Sequence, residues 1–414
     1  MINNPFTSDI FTTTWLKHFN NSESGISFDF LAKLLFVRHK IPNLYINCGK
    51  THTKGISYVL NKFNNSDIRK KTFLIYDVPT YFNLITQIEN KNLRCDKIKQ
   101  YPGYLIELQS FEDLNHYLQT NFSKSSRYKL KKYKKRLETC FDIKYKMYYG
   151  NISKDVYDQI FRHFKALLEK RFSEKQISNN NLDPAEWNFY YDVAYSMILE
   201  KKASLFVIYD GDKPIGVTLG YLSEDIFFDA ITVFDIDYSK FHLGSINIMK
   251  LIEWCKDHKL KVFDFSKGHF DYKKRWATKS YDFEYHIYFD RSSLLSQIIA
   301  YSFKSFFSLK QELRRLHINE ILHKLAFRLK NKKLQLKEVN KYSLIDDNTP
   351  ITSHQLKQID PFAKEYEFLK SAIFDFLYLK QENCKMLDVY LVTNEQNTYI
   401  FKGQRHQVKV RAQL

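Results

Sequence analysis

The sequence predicts an α+β protein built on a mixed, mostly antiparallel sheet flanked by helices, and three observations between Ser204 and Trp276 predict it. Three hydrophobic runs come first, Ser204–Tyr209, Ile215–Tyr221 and Ile226–Phe234; Asp210-Gly211-Asp212 with Lys213-Pro214 after it separates the first two, and such turn residues between β-rich runs mark a hairpin. The period then changes. Ile248, Met249, Ile252 and Cys255 recur at helical spacing with Lys250, Glu253 and Asp257 opposite, so Ile246–Cys255 reads as an amphipathic helix. A short apolar run, Val262–Phe265, follows and lies parallel to Ile226–Phe234 if that helix is the crossover.

The helix begins beside Gly244-Ser245, where its first amides lack intrahelical acceptors and the helix dipole presents its positive end, a ready anion site. Beyond the carboxyl end of the short strand come Gly268, Tyr272, Lys273, Lys274, Arg275 and Trp276, at the edge where open α/β sheets bind ligands.

Asp264-Phe265-Ser266-Lys267-Gly268 with Tyr272-Lys273 and Trp276 spells Asp-Phe-x-x-Gly-x-x-x-Tyr-Lys-x-x-Trp. In this setting it resembles the GNAT acyltransferase superfamily, in the branch named for the cellulose-biosynthesis protein CelD and related to the FemAB peptidyltransferases. The similarity takes in Ser125-Ser126-Arg127 and the basic helix after it, so it spans roughly residues 105–290. It implies a GNAT-type sheet and an acetyl-CoA or other acyl-CoA donor whose pyrophosphate sits near Gly244. The donor contacts it implies are Val233, Phe234, Leu243, Gly244, Ser245, Ile246, Asn247, Lys267 and Gly268. One departure stands out: Phe241-His242-Leu243-Gly244-Ser245-Ile246 keeps a single glycine and opens on Phe241, where GNAT enzymes usually carry Arg or Gln. The implied activity is N-acyl transfer to an amine of a polysaccharide or cell-envelope precursor, such as an amino sugar. Two alternatives stay open: a FemAB-like transferase using aminoacyl-tRNA, the one reading in which nucleic acid is a partner, and a GNAT-fold protein that binds without catalysing.

Acyl transfer from a thioester to an amine needs a neutral amine, a polarised carbonyl and a proton for the leaving thiolate. In the GNAT arrangement the long strand parts from its neighbour and its backbone amides hold the carbonyl oxygen, so few side chains are obligatory. Asp229 and Asp235 flank that strand and Asp264 lies on the short one; a buried carboxylate, its pKa raised, suits a general base. Tyr238 or Tyr272 could protonate the thiolate, and Lys273, the signature lysine, could bind a phosphate or the developing oxyanion.

The whole chain has 414 residues, 44% hydrophobic and 16% aromatic, which is enough for several ordered domains. Its formal charge of +18 points to an anionic partner: CoA, nucleic acid, an acidic glycan or a membrane surface. Five cysteines in no paired spacing, without CxxC or a histidine-rich cluster, suggest neither a disulfide framework nor a metal. MINNPFTSDIF lacks the basic start and apolar core of a signal peptide, so a cytoplasmic protein is expected.

Four regions are expected in order. Residues 1–104 form an N-terminal α/β half, a degenerate GNAT-like partner, with strands at Leu44–Asn47 and Thr72–Tyr76 and a helix at Phe82–Glu89. Residues 105–290 form the acyltransferase domain. It opens on a strand Tyr104–Leu108 and a helix capped by Ser110, then a basic helix striped by Leu130, Tyr133 and Leu137. Ser153 caps the helix Asp155–Phe172, Asp183-Pro184 opens the next, and Phe283–Phe289 is the last strand. Residues 291–340 are basic and amphipathic. They suit a bundle capping the enzyme or, over 292–337, peripheral contact with the inner face of an anionic membrane. Residues 341–414 are an accessory region with a helix Ala363–Lys380 and a hairpin, Met386–Thr393 with Tyr399–Phe401.

Overall fold

The computed structural model describes residues 3–62, 64–87, 90–175, 179–315, 341–345 and 356–413. The N-terminal part supplies α1 (Asp9–Phe19), β1 (Ile26–Ser27), β2 (Leu31–Ala32), β3 (Leu35–Arg38), β4 (Leu44–Asn47), β5 (Val59–Leu60), α2 (Asn65–Ile68), β6 (Thr72–Pro79) and β7 (Leu93–Glu107). Next come α3 (Leu114–Asn121), α4 (Lys124–Cys140), β8 (Ile143–Tyr148), α5 (Lys154–Lys175), α6 (Pro184–Leu199), β9 (Ala203–Asp210), β10 (Lys213–Leu222) and β11 (Ile226–Phe234). After a 3-10 turn at Ile236–Phe241 the chain forms α7 (Leu243–Asp257), β12 (Val262–Lys267), α8 (Asp271–Trp276), β13 (Lys279–Asp290) and α9 (Leu294–Arg315). The C-terminal module holds β14 (Lys341–Ile345), β15 (Leu356–Ile359), α10 (Lys370–Lys380), β16 (Asp388–Val392), β17 (Thr398–Lys402) and β18 (Gln407–Gln413).

Among the described residues eleven strands form one sheet in the order β1-β3-β4-β6-β13-β7-β12-β11-β10-β9-β8. Read inward from either edge, it repeats one plan. On one side β8 to β11 are antiparallel, β11 runs parallel to β12, and β12 is antiparallel to β7; on the other, β1, β3 and β4 are antiparallel, β4 runs parallel to β6, and β6 is antiparallel to β13. The two halves exchange their central strands: β7, from the N-terminal half, completes the far side, and β13 completes the near one. The expected mixed, mostly antiparallel sheet is thus the observed one, with a half of the same strand plan in front of it, and the expected division at 104/105 falls inside β7.

Helices cover both faces. On one, α3, α4 and α7 bury Ile106, Phe206, Phe227 and Phe263 of the sheet under Leu130, Leu137, Ile248 and Ile252. On the other, α1, α5 and α6 pack Phe11, Phe164, Phe189 and Val193 over Leu205, Val217, Leu219 and Val233. Caps read from sequence hold: Ser153 Oγ accepts from the Val156 amide, and Asp183 accepts from that of Ala185 with Pro184 behind it. His52, isolated in the sequence, is buried between the Trp15 indole donor at 2.9 Å and Glu186 at 2.8 Å, a tie between α1 and α6.

Some local expectations give way. Phe82–Glu89 forms no helix among its described residues: a single turn, Thr80–Phe82, stops at Asn83, whose left-handed backbone ends it. The helix expected from Ser110 starts at Leu114 because Asp113, not Ser110, caps it, accepting from the His116 amide at 2.8 Å. The strand expected at Tyr104–Leu108 is the end of the much longer β7. In the accessory region the hairpin is β16 and β17, inside a five-stranded sheet ordered β14-β18-β17-β16-β15. Of the basic segment 292–337, α9 packs Ile299 and Phe307 on the sheet, and 316–337 lie outside the described residues.

Candidate functional site

β11 and β12 are in register only over Ile226↔Val262, Phe227↔Phe263 and Phe228↔Asp264; past that point they part. The edge of β11 that faced β12 is therefore left without ladder partners over its last residues, Asp229 to Phe234. On β12 a bulge between Asp264 and Lys267 assists the parting: Ser266 takes φ +59°, a strained conformation for a residue with a side chain, and its amide is held by Asp264 at 2.7 Å. Gly268 follows at φ +122°, which favours glycine.

A cavity of about 430 Å³ opens at the gap. Asp229, Thr232 and Phe234 of β11 form one wall, and the first turns of α7, with Leu243, Gly244, Ser245, Asn247 and Ile248, form the second. Tyr272 and Trp276 of α8 and Arg171 of α5 close it. Leu243 and Gly244 have no carbonyl one turn behind them within the helix, so their amides are free to meet an anion. A β-carbon at Gly244 would stand 3.4 Å from the Phe234 ring, ordinary contact, so the glycine keeps the entrance wide rather than relieving a clash. His242 precedes the helix at φ +53° and stacks on Tyr133 of α4 at 3.9 Å between ring centres.

The sequence-derived candidates separate by what their polar atoms already do. Asp235 is buried, ion-paired to Lys170 at 2.6 Å and Lys213 at 3.6 Å, and caps the 3-10 turn through the Asp237 amide; it touches the cavity as a braced structural carboxylate. Tyr238 also reaches the cavity but gives its hydroxyl to Asp210 at 2.8 Å. Asp264 lies behind the gap, fully buried, taking hydrogen bonds from Tyr81 at 2.8 Å, from Tyr281 at 2.7 Å and from the Ser266 amide; burial pushes its carboxyl up to about 6 against those donors. Asp229 differs. Thr232 donates to one of its oxygens at 2.8 Å, and among the described residues the other takes no hydrogen bond. Burial holds this carboxyl above its ordinary range, opposed by Thr232 and by the nearby Lys273 and Lys54. Thr232 continues through Thr218 at 3.0 Å to Asn247 at 3.1 Å, so one polar chain links Asp229 to the first turn of α7.

Tyr272 lines the cavity, its hydroxyl pushed up by burial and by Asp229, with Arg171 opposing. Lys273 is buried and donates to the carbonyls of Lys267 at 2.8 Å and Ser266 at 3.3 Å, tying α8 to the end of β12; burial pushes its ammonium down to about 8, against Asp229 and Asp264. Lys267 pairs with Asp77 of β6 at 2.6 Å. Val233 and Ile246 pack into the core and line no part of the cavity, while Phe234, Leu243, Gly244, Ser245 and Asn247 do.

Lys54, Asp77, Tyr81 and Arg171 were not singled out from the sequence. Lys54 comes from the N-terminal half, and burial pushes its ammonium down to about 8, with Lys267 and Lys273 adding to the effect and Asp77 and Asp229 opposing it. The equivalent gap in the N-terminal half is filled: past Ile46↔Leu74, Asn47 Oδ1 accepts the Tyr76 amide at 2.8 Å, and α9 lays Phe307 against Tyr285 at 3.8 Å and Tyr76 at 6.0 Å. Among the described residues no three His, Cys, Asp or Glu side chains gather as a metal site, and no helix is long and apolar enough to cross a membrane.

Comparison with known proteins fits this geometry. No curated protein matches the sequence. Among solved structures, a conserved protein of unknown function from Bacteroides thetaiotaomicron VPI-5482 superposes with a TM-score of 0.46 at 10% identity, covering 69% of this chain and 90% of that one. FemX superposes with a TM-score of 0.45 at 10% identity, covering 69% and 92%. Residues 124–274 match the family described as "Acetyltransferase (GNAT) domain", a segment that runs from the basic α4 through the parting strands to Lys274. That segment, which contains the gap, the glycine-started helix and most of the cavity wall, carries the chain's similarity to GNAT acetyltransferases.

Proposed function

We propose that the protein is an N-acyltransferase that takes its acyl group from acetyl-CoA or another acyl-CoA and gives it to an amine of a polysaccharide or cell-envelope precursor. The observation that carries this reading is the parting of β11 from β12 beside the open start of α7. The pyrophosphate would lie on the Leu243 and Gly244 amides, and the pantetheine arm in the gap, its thioester carbonyl against the unpaired edge of β11. The amine nitrogen attacks that carbonyl, the C–S bond breaks, Asp229 takes the proton lost by nitrogen, and Tyr272 supplies the one the thiolate gains. Lys273 fixes the floor of the site through the β12 carbonyls. The acceptor class rests on the CelD-like signature at Asp264–Trp276. Calorimetric titration with acetyl-CoA tests the donor: saturable binding is expected, and folded protein that binds none at millimolar ligand would end this reading.

One observation favours a second donor. α4 exposes Lys124, Lys129, Lys131 and Lys135, and its Tyr133 stacks on His242 at the helix entrance, so a cationic surface adjoins the gap. A FemAB-like use of aminoacyl-tRNA would exploit it. Binding of tRNA would then fall steeply with salt, in proportion to the phosphates neutralised, and salt-independent binding would count against it.

A further inference from the structure

Between β11 and α7 runs the Ile236–Phe241 turn, which delivers the backbone of His242, Leu243 and Gly244 to the cavity. A 3-10 turn has poor hydrogen-bond geometry and little stability of its own, and His242 adds a left-handed backbone at φ +53°. Its outer side is held by the C-terminal module. Lys370, at the start of α10, forms an ion pair with Asp237, which Lys170 of α5 also grips at 2.6 Å. Lys240 forms an ion pair with Asp375 of α10, whose carboxylate also accepts from Tyr342 of β14. Between these pairs the Phe374 ring meets Tyr238 at 4.8 Å, and Tyr378 meets Phe241 at 5.2 Å. Tyr238 is shared: one side lines the donor cavity, the other a second cavity of about 570 Å³ along the seam with the module.

We infer that the C-terminal module is a working part of the donor site: Lys370 and Asp375 are positioning residues that clamp the 236–241 turn so that the α7 entrance is preformed when the donor arrives. The inference rests on the donor reading above. A module that only covered apolar surface would need Phe374 and Tyr378 against Tyr238 and Phe241; it would not need two ion pairs of opposite sense along a six-residue turn. Clamping matters because a loose turn must be ordered at the moment of binding, and that cost is subtracted from affinity.

The test uses the full chain carrying Lys370→Met and Lys240→Met together, with Lys370→Arg/Lys240→Arg as the conservative control. Amide exchange at 236–246 is expected to quicken at least tenfold while protection of β9, β10 and β16–β18 is unchanged. The acetyl-CoA dissociation constant should rise about tenfold with kcat at saturating donor preserved, and the arginine pair should restore both. Unchanged exchange at 236–246, or exchange that quickens equally throughout both sheets, would overturn the clamp. Should the unaltered protein bind no acetyl-CoA, the donor reading falls, and the exchange measurement alone still decides whether the module holds the turn.

Discussion

A carboxyl group held above its ordinary range in a cavity wall gains its proton at a pH where surface aspartates stay charged, and Asp229 is such a group. In its proposed role as general base it would work only when deprotonated, so acyl transfer should fail on the acid side at a pH above the ordinary aspartate value of about 3.9. Asp229→Asn should lower kcat about 10²- to 10⁴-fold and abolish that acid limb, which a pH–rate profile would read. Asp264 makes a different prediction, about stability. Its folded-state carboxyl keeps its proton up to about 6 from a reference of 3.8, so the native form binds the proton more tightly than the unfolded chain. Its contribution is greatest below the unfolded value and is lost as pH rises through the window from 3.8 to about 6, by about 3 kcal/mol. Asp264→Asn keeps an oxygen for the Ser266 amide and should flatten the fall, as urea titrations across that range would show.

At the scale of elements, the α7 entrance depends on a residue whose absence of side chain matters for space and not for backbone shape. Gly244→Ala should fold and bind donor nearly as before, since its methyl meets the Phe234 ring at ordinary distance. Gly244→Leu should fold with a small change in Tm yet weaken acetyl-CoA binding at least tenfold, because the extra carbons enter the cavity. This part of the site was legible in the sequence: β9 to β12 are mostly apolar runs, α7 keeps the helical period, and their turn and start residues agree with it. β7 was not legible over most of its length, because Asp96, Lys97 and Lys99 and then Pro102 interrupt what is nonetheless a central strand. Its glycine has a reason that only packing reveals: the Tyr281 ring of β13 lies over Gly103, where any β-carbon would collide. Lys54, Asp77 and Tyr81 escaped notice because nothing local marks them; they reach Asp229, Lys267 and Asp264 only through pairing across the two halves.

For the whole molecule, the exchange of β7 and β13 makes the halves inseparable. A fragment ending at residue 104 should lack cooperative unfolding, because β6 loses β13, and one comprising 105–290 should do so as well, because β12 and β13 lose β7. Circular dichroism melts of the two fragments, alone and mixed, would check this; two independent sharp transitions would contradict it. The same exchange bears on biosynthesis. A ribosome releases residues 93–107 long before 279–290, so β6 and β7 emerge with open edges and must wait for nearly two hundred further residues before the strand that lies between them exists. Such distant pairing is slow to close, so the growing chain carries open sheet edges, sites where strands of another chain could pair, until β13 arrives.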